Sequence, residues 1–181
     1  MRTAPTEQPS TQRTDRAPHA AAAAAAAPLS ALGQVPWSDI RDATGSAAGI
    51  PPLLRSMARG DAEAARAALK ELRGRICQYG FVVEQATAPT VPFLWELART
   101  PQVTCRPQII QLLRNIADAR QWESVAAVYP KLLNHRENPV VWERRARQAV
   151  RARSGALREL LAEQDGEINR VTVELADALA G

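Results

Sequence analysis

At 181 residues the chain has room for one ordinary domain and a tail, and its apolar content of 46% supplies a core, which excludes global disorder. Aromatic residues, at 4%, are scarce beside the abundant alanine and leucine, a balance that favours close helix–helix packing over a β-sandwich. A net charge of +4 and a pI near 9.7 are mildly basic: they permit an acidic partner but fall short of the dense positive runs of a nucleic-acid tail.

Residues 1–35, rich in Pro, Ala, Thr, Gln and Arg, hold almost nothing large and apolar. Such a segment cannot offset its ordering entropy, so a disordered tail is predicted. The alanine run at 20–27 is marginal as an isolated helix, because nucleation is costly, and Pro18 and Pro28 fence it in. A secretory leader is the rival reading. Glu7 and Asp15 argue against it, because the region ahead of a leader's apolar stretch is short and positive. The folded domain is predicted over 36–181.

Its first element is a short helix from Trp37, ending by Gly45, with Trp37 and Ile40 on one face. A helix over 50–59 follows, because Pro51 suits a first turn in which its missing N–H has no intrahelical partner. Gly60-Asp61 breaks it. Asp61 is a good N-cap for the next helix, which carries Ala65, Ala68, Leu69, Leu72 and Ile76 as one apolar stripe and ends by Gly80. Phe81-Val82-Val83 has strand propensity but no second strand pattern to pair with, so 81–89 is read as an ordered loop packed on the helices.

The pattern then restarts. Ile50-Pro51-Pro52-Leu53-Leu54 is matched by Val91-Pro92-Phe93-Leu94-Trp95, an offset of 92 − 51 = 41 residues that also maps Leu69 to Ile110 and Leu72 to Leu113. Thr90 is read as the N-cap of the second copy's first helix, with Val91, Leu94, Trp95 and Ala98 inward. Thr104 is read as the cap of its second helix, with Ile109, Ile110, Leu113, Ile116 and Ala117 inward. An internal period of about 40 residues with two helices per unit is the signature of stacked helical hairpins, and therefore of an all-α, right-handed α-solenoid.

Beyond Trp122 the copies degrade. A helix over 124–133 is expected to bury Val125, Val128, Tyr129 and Leu132, and 134–138 is a polar turn. Pro139 starts a helix to about Arg153 with Trp142, Ala146, Ala149 and Val150 inward, and a short helix over 156–164 follows. The last helix carries Ile168, Val171, Leu175 and Leu179 on one face and reads as a C-terminal cap of the stack.

Side chains suited to catalysis are sparse. His19 sits in the tail and His135 in a polar turn, neither near a triad or metal-ligand pattern, and no Gly-rich phosphate loop occurs. Cys77 and Cys105 stand alone in sequence and read as buried small apolar residues, with a disulfide between them left open. No catalytic, cofactor or metal residue is assigned, and no enzyme or small-molecule substrate is expected. No apolar run approaches a membrane span, and a cytoplasmic protein is expected.

Arginines carry the functional signal. Arg144, Arg147 and Arg151 fall within about 60° on one helix, opposite Trp142, Ala146 and Ala149. The second helices of the hairpins together bear Arg66, Lys70, Arg73, Arg114, Arg144, Arg147 and Arg151 on their outward faces. If those helices lie side by side, they form a positive layer to which an acidic protein surface would be steered. The alternative is binding to a nucleic-acid backbone through Arg144, Arg147 and Arg151.

Residues 37–97 also carry a family resemblance. Trp37, then Gly45-Ser46-Ala47, Ile50-Pro51-Pro52-Leu53-Leu54, Ala86-Thr87 and Val91-Pro92-Phe93-Leu94 follow one another in the order and spacing of a recognisable pattern. In these motifs the chain resembles the HEAT-repeat proteins of high-GC Gram-positive bacteria. The resemblance implies an α-solenoid and a scaffold or adaptor role in protein–protein interaction. Where members of that family often have a histidine before the glycine that ends the second helix, this chain has Gln78-Tyr79-Gly80, so any role of that histidine is absent or altered.

Overall fold

A computed structural model describes residues 29–132 and 138–181. The disordered-tail reading of 1–28, the alanine run, His19 and His135 lie outside the described residues. The chain is mostly helical, with eight α-helices and four two-residue strands among the described residues.

The fold starts earlier than residue 36. Leu29 and Leu32 are buried, a 3-10 turn spans Ser30–Gln34, and the Leu32 carbonyl accepts a 2.8 Å hydrogen bond from the Trp37 indole. These two leucines are the large apolar residues that the tail composition conceals, and the Leu29 N–H donates to Glu96 at 2.9 Å. Trp37–Asp39 is a single 3-10 turn. The short helix expected from Trp37 to Gly45 goes no further than that turn, and a β-hairpin follows: β1 (Arg41–Asp42) pairs antiparallel with β2 (Gly45–Ser46). Gly45, at φ +125°, supplies the backbone conformation that the reversal needs.

Two helical hairpins follow. In the first, α1 (Ile50–Arg59) packs on α2 (Ala62–Ile76) across a turn in which Asp61 accepts the Ala64 N–H at 2.8 Å, as its N-cap position predicts. Gly60 is required there by proximity: a Cβ would lie 2.5 Å from the Ser56 carbonyl. In the second, α3 (Thr87–Ala98) packs on α4 (Arg106–Asp118). The 41-residue offset holds in the packing. Ala65, Ala68, Leu69, Leu72 and Ile76 of α2 are buried, and so are Arg106, Ile109, Ile110, Leu113 and Ala117 of α4 at the same register.

The copies differ at their starts. The Ala47–Gly49 turn that precedes α1 is 3-10, whereas the equivalent residues of the second copy are already α-helical. Pro92 therefore lies inside α3, and Thr90, expected as its N-cap, is a buried helical residue whose hydroxyl donates to the Ala86 carbonyl at 2.7 Å. Likewise Thr104 does not cap α4; the residue at that position is Cys105, with no side-chain bond.

Between the hairpins, the segment read as a loop is a second β-hairpin. β3 (Cys77–Gln78) pairs with β4 (Val82–Val83), Cys77 opposite Val83 and Gln78 opposite Val82. The β-branched residues find their partner in the last residues before the turn rather than in a distant strand.

The remaining helices close around α4. α6 (Pro139–Arg151) packs against both α3 and α4, and α8 (Gly166–Ala180) covers another side of α4, burying Ile168, Val171 and Leu175. With neighbours on several sides, α4 buries seven of its residues, Leu112 among them, beyond its expected stripe. α7 (Leu157–Leu161) packs on α8, and α5 (Gln121–Val128) lies on α6. No residue of α5 is buried, and Val128 and Tyr129, expected inward, are exposed. α2 packs on α1, and the extended α2–α4 pairing that a continuous layer of second helices calls for is not among the pairs formed, whereas α4–α6 is. No described helix is long and apolar enough to cross a membrane.

Candidate functional site: the cationic face of α2

The seven basic residues singled out by the sequence divide into two groups. On α2, Arg66, Lys70 and Arg73 stand at i, i+4 and i+7, which places them within about 60° of one another on a face that adjoins the buried stripe on its Leu69 side. All three are exposed, and none forms an ion pair with a described residue. They are a free positive stripe, maintained because α2 spends its apolar face on α1.

The other four are mostly occupied in holding helices together. Arg114 joins α4 to α8, with its guanidinium 2.8 Å from Glu174 and 3.7 Å from Asp118. Arg144 pairs with Glu123 of α5 at 2.9 Å. Arg147, only 11% exposed, donates to the Ala119 carbonyl at 2.7 Å and to Glu123 at 2.8 Å, and lies 3.4 Å from Glu143. Of the α6 stripe, Arg151 is exposed and has no partner among the described residues. The second helices therefore do not present one continuous positive layer. The charge pattern of the sequence is real, but acidic residues that are remote in sequence meet it on α6 and α4 and not on α2.

The network beneath α6 is structural chemistry. Glu143 is fully buried and accepts the N–H groups of Trp122 at 2.6 Å and Glu123 at 3.1 Å, so a side chain of α6 caps the start of α5. Burial raises the pKa of the Glu143 carboxyl, against the pull of those two amides and of Arg147. Glu123 moves the other way: hydrogen bonds from Arg147 and then Arg144 hold its carboxyl below the usual carboxylate range.

Neither cysteine offers reactive chemistry. Cys77 and Cys105 are free and buried, and burial pushes the Cys77 thiol up to about 12, far from the thiolate needed for nucleophilic attack. Three or more metal-binding side chains do not come together anywhere among the described residues.

One surface feature escaped the sequence reading. Phe81 was expected to pack, yet it is 47% exposed, and its neighbour across the turn, Tyr79, is 85% exposed. The available signal was Tyr79-Gly80, a turn dipeptide that puts both flanking aromatic residues at a hairpin tip. No family model, curated protein or solved structure matches the chain.

Proposed function

We propose that the chain is a non-catalytic protein-interaction module, a short right-handed α-solenoid of HEAT-like hairpins acting in the cytoplasm, and that an acidic protein partner docks on the exposed face of α2. The repeated burial register of α2 and α4 supports the solenoid reading. In it, α1–α2 and α3–α4 are successive units, and the helices after Arg120 cover the exposed end of the second. The observation that carries the docking reading is the set Arg66, Lys70 and Arg73, three exposed cations in line that form no ion pair with a described residue. A phosphate backbone bound through Arg144, Arg147 and Arg151 is less favoured, because Glu123 and Glu143 already hold two of those three guanidinium groups.

Affinity capture from the native host tests this. Wild type and Arg151→Glu should recover the same partner, and Arg66→Glu/Lys70→Glu/Arg73→Glu should lose it. Wild-type binding to a random DNA duplex at about 50 mM salt, with a steep linear fall of log K against log salt, would instead support the phosphate reading. Recovery of the same partner by all three baits would sink the role of α2.

A further inference from the structure

We propose that the turn at Gln78–Phe81 is the apolar anchor of this same docking surface, and that its occupant is an acidic protein segment carrying a large apolar side chain between its carboxylates. The inference rests on the reading of α2 given above.

The turn is built for presentation rather than for packing. Tyr79 sits at φ +54° and Gly80 at φ +84°, the pair of left-handed residues of a mirror-image tight turn, closed by the Phe81 N–H donating to the Gln78 carbonyl at 3.1 Å. Glycine or asparagine adopts that first position readily; a bulky aromatic residue there is strained. Tyr79 nonetheless occupies it, and its ring meets little besides Phe81, whose centroid is 6.2 Å away. Strain without compensating burial marks a side chain kept for something outside the chain.

Its support is firm. A Cβ on Gly80 would lie 3.3 Å from the Asn115 amide of α4, so the turn backs directly onto that helix. The Trp122 indole of α5 donates to the Val83 carbonyl at 3.0 Å, and β4 packs on α6. Two aromatic rings held on a rigid tip lose little freedom when a partner covers them, and tyrosine is among the residues that dominate interface energetics.

Charge identifies the occupant. Cys77, the first residue of the hairpin, donates its N–H to the Arg73 carbonyl as the cap of α2, and the Arg73 charge reaches the Cys77 thiol. The cationic line of Arg66, Lys70 and Arg73 thus runs along about 10 Å of helix toward Cys77, where the hairpin that carries the aromatic tip begins. Residues 77–83 themselves carry no charge. A single-stranded nucleic acid, which carries a phosphate beside every stacked base, would meet its cations only along α2 and none between Tyr79 and Phe81. An acidic segment with one apolar side chain matches both parts.

The test pans a phage-displayed library of random 12-residue peptides against the full chain at about 50 mM salt, then measures synthesised winners by calorimetry. The variants are Tyr79→Asn/Phe81→Ser and Arg66→Glu/Lys70→Glu/Arg73→Glu. Selected peptides should pair Asp or Glu with a large apolar residue, and each variant should weaken them at least about tenfold. Because asparagine relieves the strain at φ +54°, Tyr79→Asn alone should fold with an unchanged or raised thermal midpoint while losing affinity, which a merely structural tyrosine would not do. Acidic peptides weakened by the α2 variant alone would overturn the anchor and leave the α2 reading intact; indifference to both variants would overturn both. An unenriched library, selected peptides without acidic residues, tighter binding of an oligo-dT probe that depends on Tyr79 and Phe81, or self-association lost in the tip variant would each overturn the proposal.

Discussion

Arg147 and Glu143 lie one turn apart on α6, the guanidinium 3.4 Å from a carboxylate with no exposed surface. The pair joins three segments, because Arg147 also donates to the Ala119 carbonyl and Glu143 accepts the first amides of α5. Removing the cation strands a buried carboxylate and a carbonyl. Arg147→Ala should therefore destabilise by about 3 kcal/mol, the scale on which breaking a buried pair usually falls. Chemical denaturation measures this, and a loss under about 0.5 kcal/mol would mean that water already satisfies both groups.

The two glutamates of this network should respond to pH with opposite slopes. Glu123 has a lowered folded-state pKa, so its stabilisation is present above its unfolded value near 4.5 and is lost as pH falls through the folded one. Wild type should exceed Glu123→Gln in stability at pH 7 and converge with it in acid. Glu143 has a raised pKa, so its advantage is present below the unfolded value and is lost as pH rises through the folded one. Wild type should thus lose ground to Glu143→Gln as pH rises above the unfolded value near 4.5. Parallel profiles for the two variants would contradict this assignment.

The helices were legible wherever an apolar stripe ran at helical spacing: α2, α4 and α8 follow from Leu69 and Leu72, Ile110 and Leu113, and Ile168 and Leu175. Their inward faces need only local periodicity. What the sequence hid depends on contacts made at a distance. The strands β1–β4 are two residues each, too short to show alternation, and exist because a turn brings each beside its partner. The fate of the arginines was hidden for the same reason. Arg66 and Arg147 look alike along the chain, but Glu123, 24 residues upstream of Arg147, neutralises only the second.

The shared core of the two hairpins gives a direct test of the 41-residue register. Leu72 and Leu113 are both fully buried at equivalent positions. Either one changed to alanine should cost about 2–5 kcal/mol, the range for large-to-small core substitutions. A loss in urea denaturation for Leu72→Ala but not for Leu113→Ala would break the equivalence.

Gly49 and Arg75 should be energetically coupled. A Cβ on Gly49 would stand 2.8 Å from the Arg75 Nη1 atom, the same nitrogen that lies 3.2 Å from the buried Asp42 carboxylate and 3.0 Å from the Thr44 hydroxyl. The other side of the fork holds Glu71 at 2.8 Å, so the guanidinium ties the end of α2 to the β1–β2 hairpin. Because the clash falls on the far end of a flexible side chain, Gly49→Ala should displace Arg75 rather than the backbone. The cost is then the lost Asp42 contact, about 1.5–3 kcal/mol for a hydrogen bond to a charged group. In an Arg75→Ala background the contact is already gone, and so are the three atoms nearest to the added methyl. A double-mutant cycle should show the cost of Gly49→Ala falling close to zero there. Full additivity would mean that the glycine is needed for its backbone and not for the arginine.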